Sequence, residues 1–186
     1  MMWTAPQNRL LVVCHANQIR SPMAAEMLRA RLSRAGLEHE VRSSGVGATP
    51  GRPMMPEAVA AMTRRGLPSA HTSRRFDRRE AREADVVITL ARAQMRSIVG
   101  DDPTLFRSTF TLKELIRRSE QAGERRSGEA WPAWLARISL DRRAASLLGD
   151  DARDDVADPI GKPAEAYERC ADELSALVDR LVTLLR

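Results

Sequence analysis

Hydrophobic positions along the chain follow two alternating patterns. Leu10-Leu11-Val12-Val13 is an unbroken apolar run, the form taken by a strand covered on both faces of a parallel sheet. Ser21-Pro22 then reads as a helix N-cap followed by proline at the first helical position. Met23, Met27, Leu28 and Leu32 share one helical face, and Gly36 ends the pattern. Residues 41–44 predict a second strand. Residues 49–56 hold three prolines and a glycine and predict a loop. A helical pattern over 56–65 runs through Ala58, Val59 and Met62 and closes at Gly66.

The apolar run at 85–90 predicts a third strand, with a helix over 92–99. Thr109–Thr111 reads as a short fourth strand, followed by a helical turn or two over 112–118. Residues 163–186 predict a long amphipathic helix that buries Tyr167, Leu174, Leu177, Val178, Leu181 and Leu185. Strands alternating with helices predict an α/β fold with a parallel sheet. Such sheets place ligands at the carboxyl ends of their strands, which points to the residues just after Val13. Residues 119–150 break the alternation. They begin polar, pass through Trp131-Pro132-Ala133-Trp134, and continue as a helical stretch through Leu140, Leu147 and Leu148. They are read as a helical insertion into one domain spanning 1–186.

Composition narrows the function. At 186 residues the chain is the size of one domain with a substantial core. No apolar run approaches the roughly 18 residues of a membrane-spanning helix, and residues 1–9 lack the pattern of a secretory leader. The expected location is cytoplasmic. Two cysteines exclude a disulfide framework, and together with three histidines they offer no usual zinc spacing; neither a metal nor another cofactor is expected. The net charge of +5 raises nucleic acid as a partner. The 28 arginines, however, are spread along the chain among 25 acids, and aromatics make up only 4%. A solvated charged surface explains them, and no nucleic-acid partner is expected.

The loop after the first strand reads Cys14-His15-Ala16-Asn17-Gln18-Ile19-Arg20-Ser21. Five residues between Cys14 and Arg20 can curl so that their N–H groups face inward as an anion cradle. The following helix presents its positive end to the same point. The Arg20 guanidinium closes the cradle with a fork that matches two phosphate oxygens. That positive field favours the thiolate, the nucleophilic form of cysteine. With arginine at about 15% of positions the spacing alone is weak. The setting discriminates, because Cys14 ends a buried strand and Arg20 begins a helix. Cys170 sits inside the last helical pattern and reads as a small buried hydrophobe.

The stretch 14–24, CHANQIRSPMA, resembles the signature of the low-molecular-weight protein tyrosine phosphatases. Further similarities are Ser43-Ser44-Gly45, Gly51-Arg52-Pro53, Gly66, residues 71–74, the strand at Asp85 and Asp158-Pro159-Ile160-Gly161. The resemblance implies a three-layer α/β/α fold with a four-stranded parallel sheet. It also implies hydrolysis of a phosphomonoester through a phosphocysteine, on a phosphotyrosine protein or a small aryl phosphate. By position, Cys14 would be the nucleophile, Arg20 the phosphate and transition-state ligand, and Asp158 the acid and then the base. Phosphate or another oxyanion would sit in the loop formed by His15, Ala16, Asn17, Gln18, Ile19 and Ser21. Asn17 would hold the loop's shape, and Ser21 would donate to the Cys14 sulfur.

Asp102-Pro103 is a second Asp-Pro pair, read as a surface turn after a helix. His15 is expected to face away from the cradle and stand at its rim, with His39 and His71 surface or structural. Three departures bear on substrate. Ile19 stands where many members carry a second cysteine that protects the nucleophile from overoxidation. Thr49 and Ile160 stand where aromatic residues often wall the cleft. The insertion is longer than the family minimum; Trp131 and Trp134 read as its core packing, with a substitute cleft wall as the alternative. Two other functions stay open on sequence alone: arsenate reduction with a small external thiol, and phosphate binding without turnover.

Overall fold

The computed structural model describes residues 8–147, 149 and 151–186. The reading of the first residues as no leader falls largely on 1–7 and lies outside that range, as do Leu148 and Asp150. Four strands form one parallel sheet: β1 (Arg9–Cys14), β2 (Glu40–Gly45), β3 (Val86–Thr89) and β4 (Thr109–Thr111), in the order β2-β1-β3-β4. The register pairs Cys14 with Gly45 and Val13 with both Ser44 and Thr89. β1 runs to β2 on one side and the chain returns to β3 on the other. The end of β1 is therefore the switch point where such sheets open a crevice.

Among the described residues, seven α-helices cover the sheet: α1 (Arg20–Arg34), α2 (Pro56–Arg64), α3 (Arg78–Glu83), α4 (Arg92–Asp101), α5 (Leu112–Ala122), α6 (Trp131–Ile138) and α7 (Ala164–Leu184). Alternation along β1 divides the core. Leu10, Val12 and Cys14 join α1, α2, α5, α6 and α7 in the larger apolar cluster. Leu11 and Val13 face the other way, with Ala81 of α3 and Ile98 of α4. This is the three-layer α/β/α arrangement. The apolar face expected of the last helix is all buried, from Tyr167 to Leu185. No described helix is long and apolar enough to cross a membrane.

Three expectations are corrected. The first helix begins at Arg20 with Ile19 as its N-cap, so Ser21 is not the cap and Pro22 sits at the third helical position. Proline is tolerated there because a first-turn nitrogen has no helical acceptor. Helix α5 continues to Ala122, so the irregular excursion starts later than residue 119. The helix through Trp131 stops at Ile138; Leu140 is 89% exposed, and only a 3-10 turn, Ala144–Leu147, follows.

Arg142 is buried, whereas Leu140, expected on the apolar face of that stretch, is exposed. The Arg142 guanidinium lies 4.3 and 4.0 Å from the Phe106 and Phe110 ring centroids and 2.9 Å from a Glu114 carboxylate oxygen. That pairing offsets the desolvation of a buried cation and pins the insertion to the edge of the sheet. Helix α3 carries five charged residues in six and gave no apolar period; Asp77 caps it by accepting from the Arg79 N–H.

Candidate active site

Strand parity brings the Cys14 side chain to the carboxyl end of the sheet, beneath the start of α1. Two donors address its sulfur: the Asn17 N–H at 3.2 Å and the Ser21 hydroxyl at 3.0 Å. The Ser21 oxygen in turn accepts from Asn17 Nδ2 at 2.9 Å, which frees its single proton for sulfur. This use of the hydroxyl is why Ser21 does not cap the helix. Among the described residues no side chain caps α1, and no acid occupies its first turn, so its N-terminal amides and positive dipole end face the loop.

Asn17 is fully buried and holds the loop's shape. Its φ of 55° lies in the left-handed region, which asparagine tolerates better than most residues. Its Nδ2 also donates to Ser43 Oγ at 3.0 Å, and its Oδ1 accepts the Arg74 N–H at 2.8 Å. His71 Nε2 lies 2.8 Å from the Asn17 carbonyl. The acceptor is a carbonyl, so His71 donates and its tautomer is fixed at Nε2–H. Burial holds the His71 pKa below its usual value, against the upward pull of this bond.

Gly45 stands where the register brings β2 beside the loop. A Cβ there would meet the His15 carbonyl oxygen at 2.3 Å and the Asn17 nitrogen at 2.9 Å, so a side chain would displace loop backbone. His15 is exposed, and its ring lies over Gly47, away from Cys14, as expected of a rim residue. Gln18 ties the loop outward: its Nε2 donates to the Pro53 carbonyl at 3.0 Å, and its own carbonyl accepts the Met55 N–H at 3.0 Å. Ala16 is half-buried and Ile19 is 5% exposed.

The Arg20 side chain reaches back across the loop. Nη1 donates to the Val156 carbonyl at 3.0 Å, and Nη2 pairs with the Asp158 carboxylate. Asp158 is brought to the arginine, whereas Asp102 follows the far end of α4. There Asp102 accepts from Arg82 and Thr104 and is held below the usual carboxylate range, first by the Thr104 hydroxyl. It is a turn after a helix, as read, but it is buried rather than on the surface. Cys170 lies on α7 behind Asp158, and burial pushes its thiol up to about 12, a poor nucleophile or relay. Trp131 donates to Asn8, next to the opposite end of β1, and is buried with Trp134. Neither forms a wall of the cleft.

The supporting contacts of Ser43, His71, Arg74 and Val156 were not assigned from sequence. The Ser43 and 71–74 segments carried a family likeness, but their contacts with Asn17 are made only by the fold.

The family model described as low molecular weight phosphotyrosine protein phosphatase matches residues 9–124. The chain belongs to that family. This low-molecular-weight phosphatase is 30% identical over 178 residues to a protein-arginine-phosphatase of Geobacillus stearothermophilus, covering 96% of each chain. It superposes on a low molecular weight protein tyrosine phosphatase from T. tengcongensis with a TM-score of 0.72 and 29% identity, over 96% of this chain and 100% of that one. A cysteine-to-serine variant of the YwlE arginine phosphatase, carrying a phosphorylated active-site serine, superposes with a TM-score of 0.72 at 26% identity, over 94% of this chain and 93% of that one. The phosphatase is thus a hydrolase of the nucleophilic kind.

Proposed function

We propose that Cys14 is the nucleophile of a phosphatase acting on phosphorylated protein side chains. The observation that carries the reading is the Cys14 sulfur held between the Asn17 N–H and the Ser21 hydroxyl, with Arg20 closing the loop against Asp158. In the first step the sulfur–phosphorus bond forms as the bond to the leaving group breaks, and Asp158 gives the leaving group its proton. In the second, Asp158 takes a proton from water as water attacks phosphorus. The sulfur–phosphorus bond breaks as the new oxygen–phosphorus bond forms, which returns the Cys14 thiolate and releases inorganic phosphate. Arg20 and the loop amides stabilise the charge on the equatorial oxygens in both steps.

Phosphoarginine is the favoured substrate. Among the described residues, Trp131, Trp134, Phe110 and Tyr167 are buried, Phe76 and Phe106 are half-buried, and Ile160 rather than an aromatic ring is exposed beside Asp158. An aryl ring would find little to stack on, whereas an aliphatic side chain ending in a guanidine needs no such wall. The Geobacillus relative, similar over nearly its whole length, is named for that activity. Phosphotyrosine is the second reading, supported by the family's description and the T. tengcongensis relative. Comparing kcat/KM on matched phosphoarginine and phosphotyrosine peptides decides between them. A preference of at least about tenfold for phosphoarginine, roughly 1.4 kcal/mol in transition-state binding, is expected. The reverse preference restores the phosphotyrosine reading.

A further inference from the structure

The segment that carries Asp158 is fastened by groups the mechanism leaves unused. Asp154 is a buried carboxylate, 4% exposed. Arg117 Nη1 of α5 donates to its Oδ1 at 2.8 Å, and Arg92 of α4 donates to its Oδ2 at 2.8 Å. The next residue, Asp155, accepts the Arg92 N–H at 2.7 Å, capping α4 from outside, and its carbonyl accepts Lys113 Nζ at 2.7 Å. Val156 then donates its N–H to Leu90 just past β3, at 2.8 Å, and receives Arg20 on its carbonyl. Three successive residues are thus anchored to α4, α5, β3 and the anion loop. Only Ala157 separates them from Asp158.

We propose that Asp154, gripped by Arg92 and Arg117, is a positioning residue that sets where the Asp158 carboxyl stands relative to the leaving group. Proton transfer needs hydrogen-bond distance at the moment of bond breaking. A loop tethered two residues upstream on both backbone atoms of Val156 keeps that distance only while the clamp holds. The helices it grips do not depend on it, since Met95 and Ile98 bury α4 and Leu115 and Ile116 bury α5. The inference rests on Asp158 as the acid, and the test separates the two claims.

The experiment compares kcat/KM on phenyl phosphate, whose leaving group needs a proton, with p-nitrophenyl phosphate, whose leaving group needs it far less. Asp158→Asn is expected to lose on the order of 10²-fold on phenyl phosphate and much less on p-nitrophenyl phosphate. Asp154→Asn should show the same selectivity at on the order of tenfold, with inhibition by inorganic phosphate within about twofold of wild type. The double variant should be no more selective against phenyl phosphate than Asp158→Asn alone, because the clamp reaches the leaving group only through the acid, while any effect passed to Arg20 through Val156 falls on both substrates alike. Equal losses on both substrates in Asp154→Asn, or selectivity that adds in the double variant, overturn the clamp. If Asp154→Asn does not fold, Arg117→Gln decides: a few-fold selective loss on phenyl phosphate supports the clamp, and an unselective loss or none overturns it. Selectivity in Asp158→Asn without selectivity in the clamp variants overturns the clamp alone. No selectivity in Asp158→Asn overturns the acid assignment and the clamp with it.

Discussion

Replacing Asn17 by alanine removes three side-chain hydrogen bonds from a fully buried position: to Ser21, to Ser43 and from the Arg74 N–H. Each such bond contributes about 1 kcal/mol net, and the stranded Arg74 N–H adds about 1–2 kcal/mol. The left-handed φ of 55° costs alanine a further 1 kcal/mol or so, since it lacks the polar side chain that eases that region. The expected loss is on the order of 5–6 kcal/mol, a large share of the roughly 5–15 kcal/mol that stabilises a domain. Glycine loses the same bonds but tolerates the backbone, so Asn17→Gly should be less harmful than Asn17→Ala by roughly 0.5–1 kcal/mol, after allowing for its freer unfolded chain. Activity should suffer as well, because without Asn17 the Ser21 proton can turn to the Ser44 carbonyl, 3.3 Å away. Urea titration followed by circular dichroism gives the stabilities, and kcat/KM on p-nitrophenyl phosphate gives the chemistry. A cost below about 1 kcal/mol, with alanine and glycine indistinguishable, would refute the claim that Asn17 holds the loop.

Three further outcomes follow from the same geometry. Gly45→Ala should abolish most turnover and weaken inhibition by inorganic phosphate, because its Cβ collides with loop backbone. Gly47→Ala should cost little, because its Cβ meets only the exposed His15 ring, which can swing away; equal effects in the two variants contradict the steric argument. Arg142→Met removes a buried partner of Glu114 at the end of the sheet away from Cys14. It should cost about 2–3 kcal/mol in thermal or chemical denaturation, because Glu114 keeps Arg118 at 3.0 Å, while leaving kcat/KM near wild type at 25 °C. Burial holds His39 below its ordinary 6.5 against the Trp131 ring, so the unfolded chain takes up the proton more readily. Stability should therefore fall as pH drops below about 6.5, and His39→Phe should flatten part of that fall in urea midpoints measured between pH 7.5 and 5.5.

The parts of this fold legible in the sequence are those governed by local pattern. The apolar runs of β1 and β3 and the seven-residue span from Cys14 to Arg20 are contiguous in the chain. Backbone geometry and helix polarity therefore determine what they form. Helix α3 was invisible because five of its six residues are charged, and it is stabilised by the Asp77 cap and the burial of Ala81 under the sheet. The inversion at Leu140 and Arg142 could not be read from periodicity. It depends on Glu114 and two phenylalanine rings meeting the guanidinium in space. The same holds within the site. Asn17 and Ser21 lie within seven residues of Cys14, but Ser43, His71, Arg74 and Val156 arrive from distant segments, and only the fold shows that they grip the loop.

The central claim, that Cys14 carries the phosphoryl group, is tested most directly by mass spectrometry of acid-quenched enzyme during p-nitrophenyl phosphate turnover under reducing conditions, with Cys14→Ser alongside. The account predicts a phosphate adduct on the peptide containing Cys14 in the wild type, and turnover abolished in Cys14→Ser while that variant still binds inorganic phosphate. Continued turnover by folded Cys14→Ser, or a phosphoryl group on another residue, would contradict it.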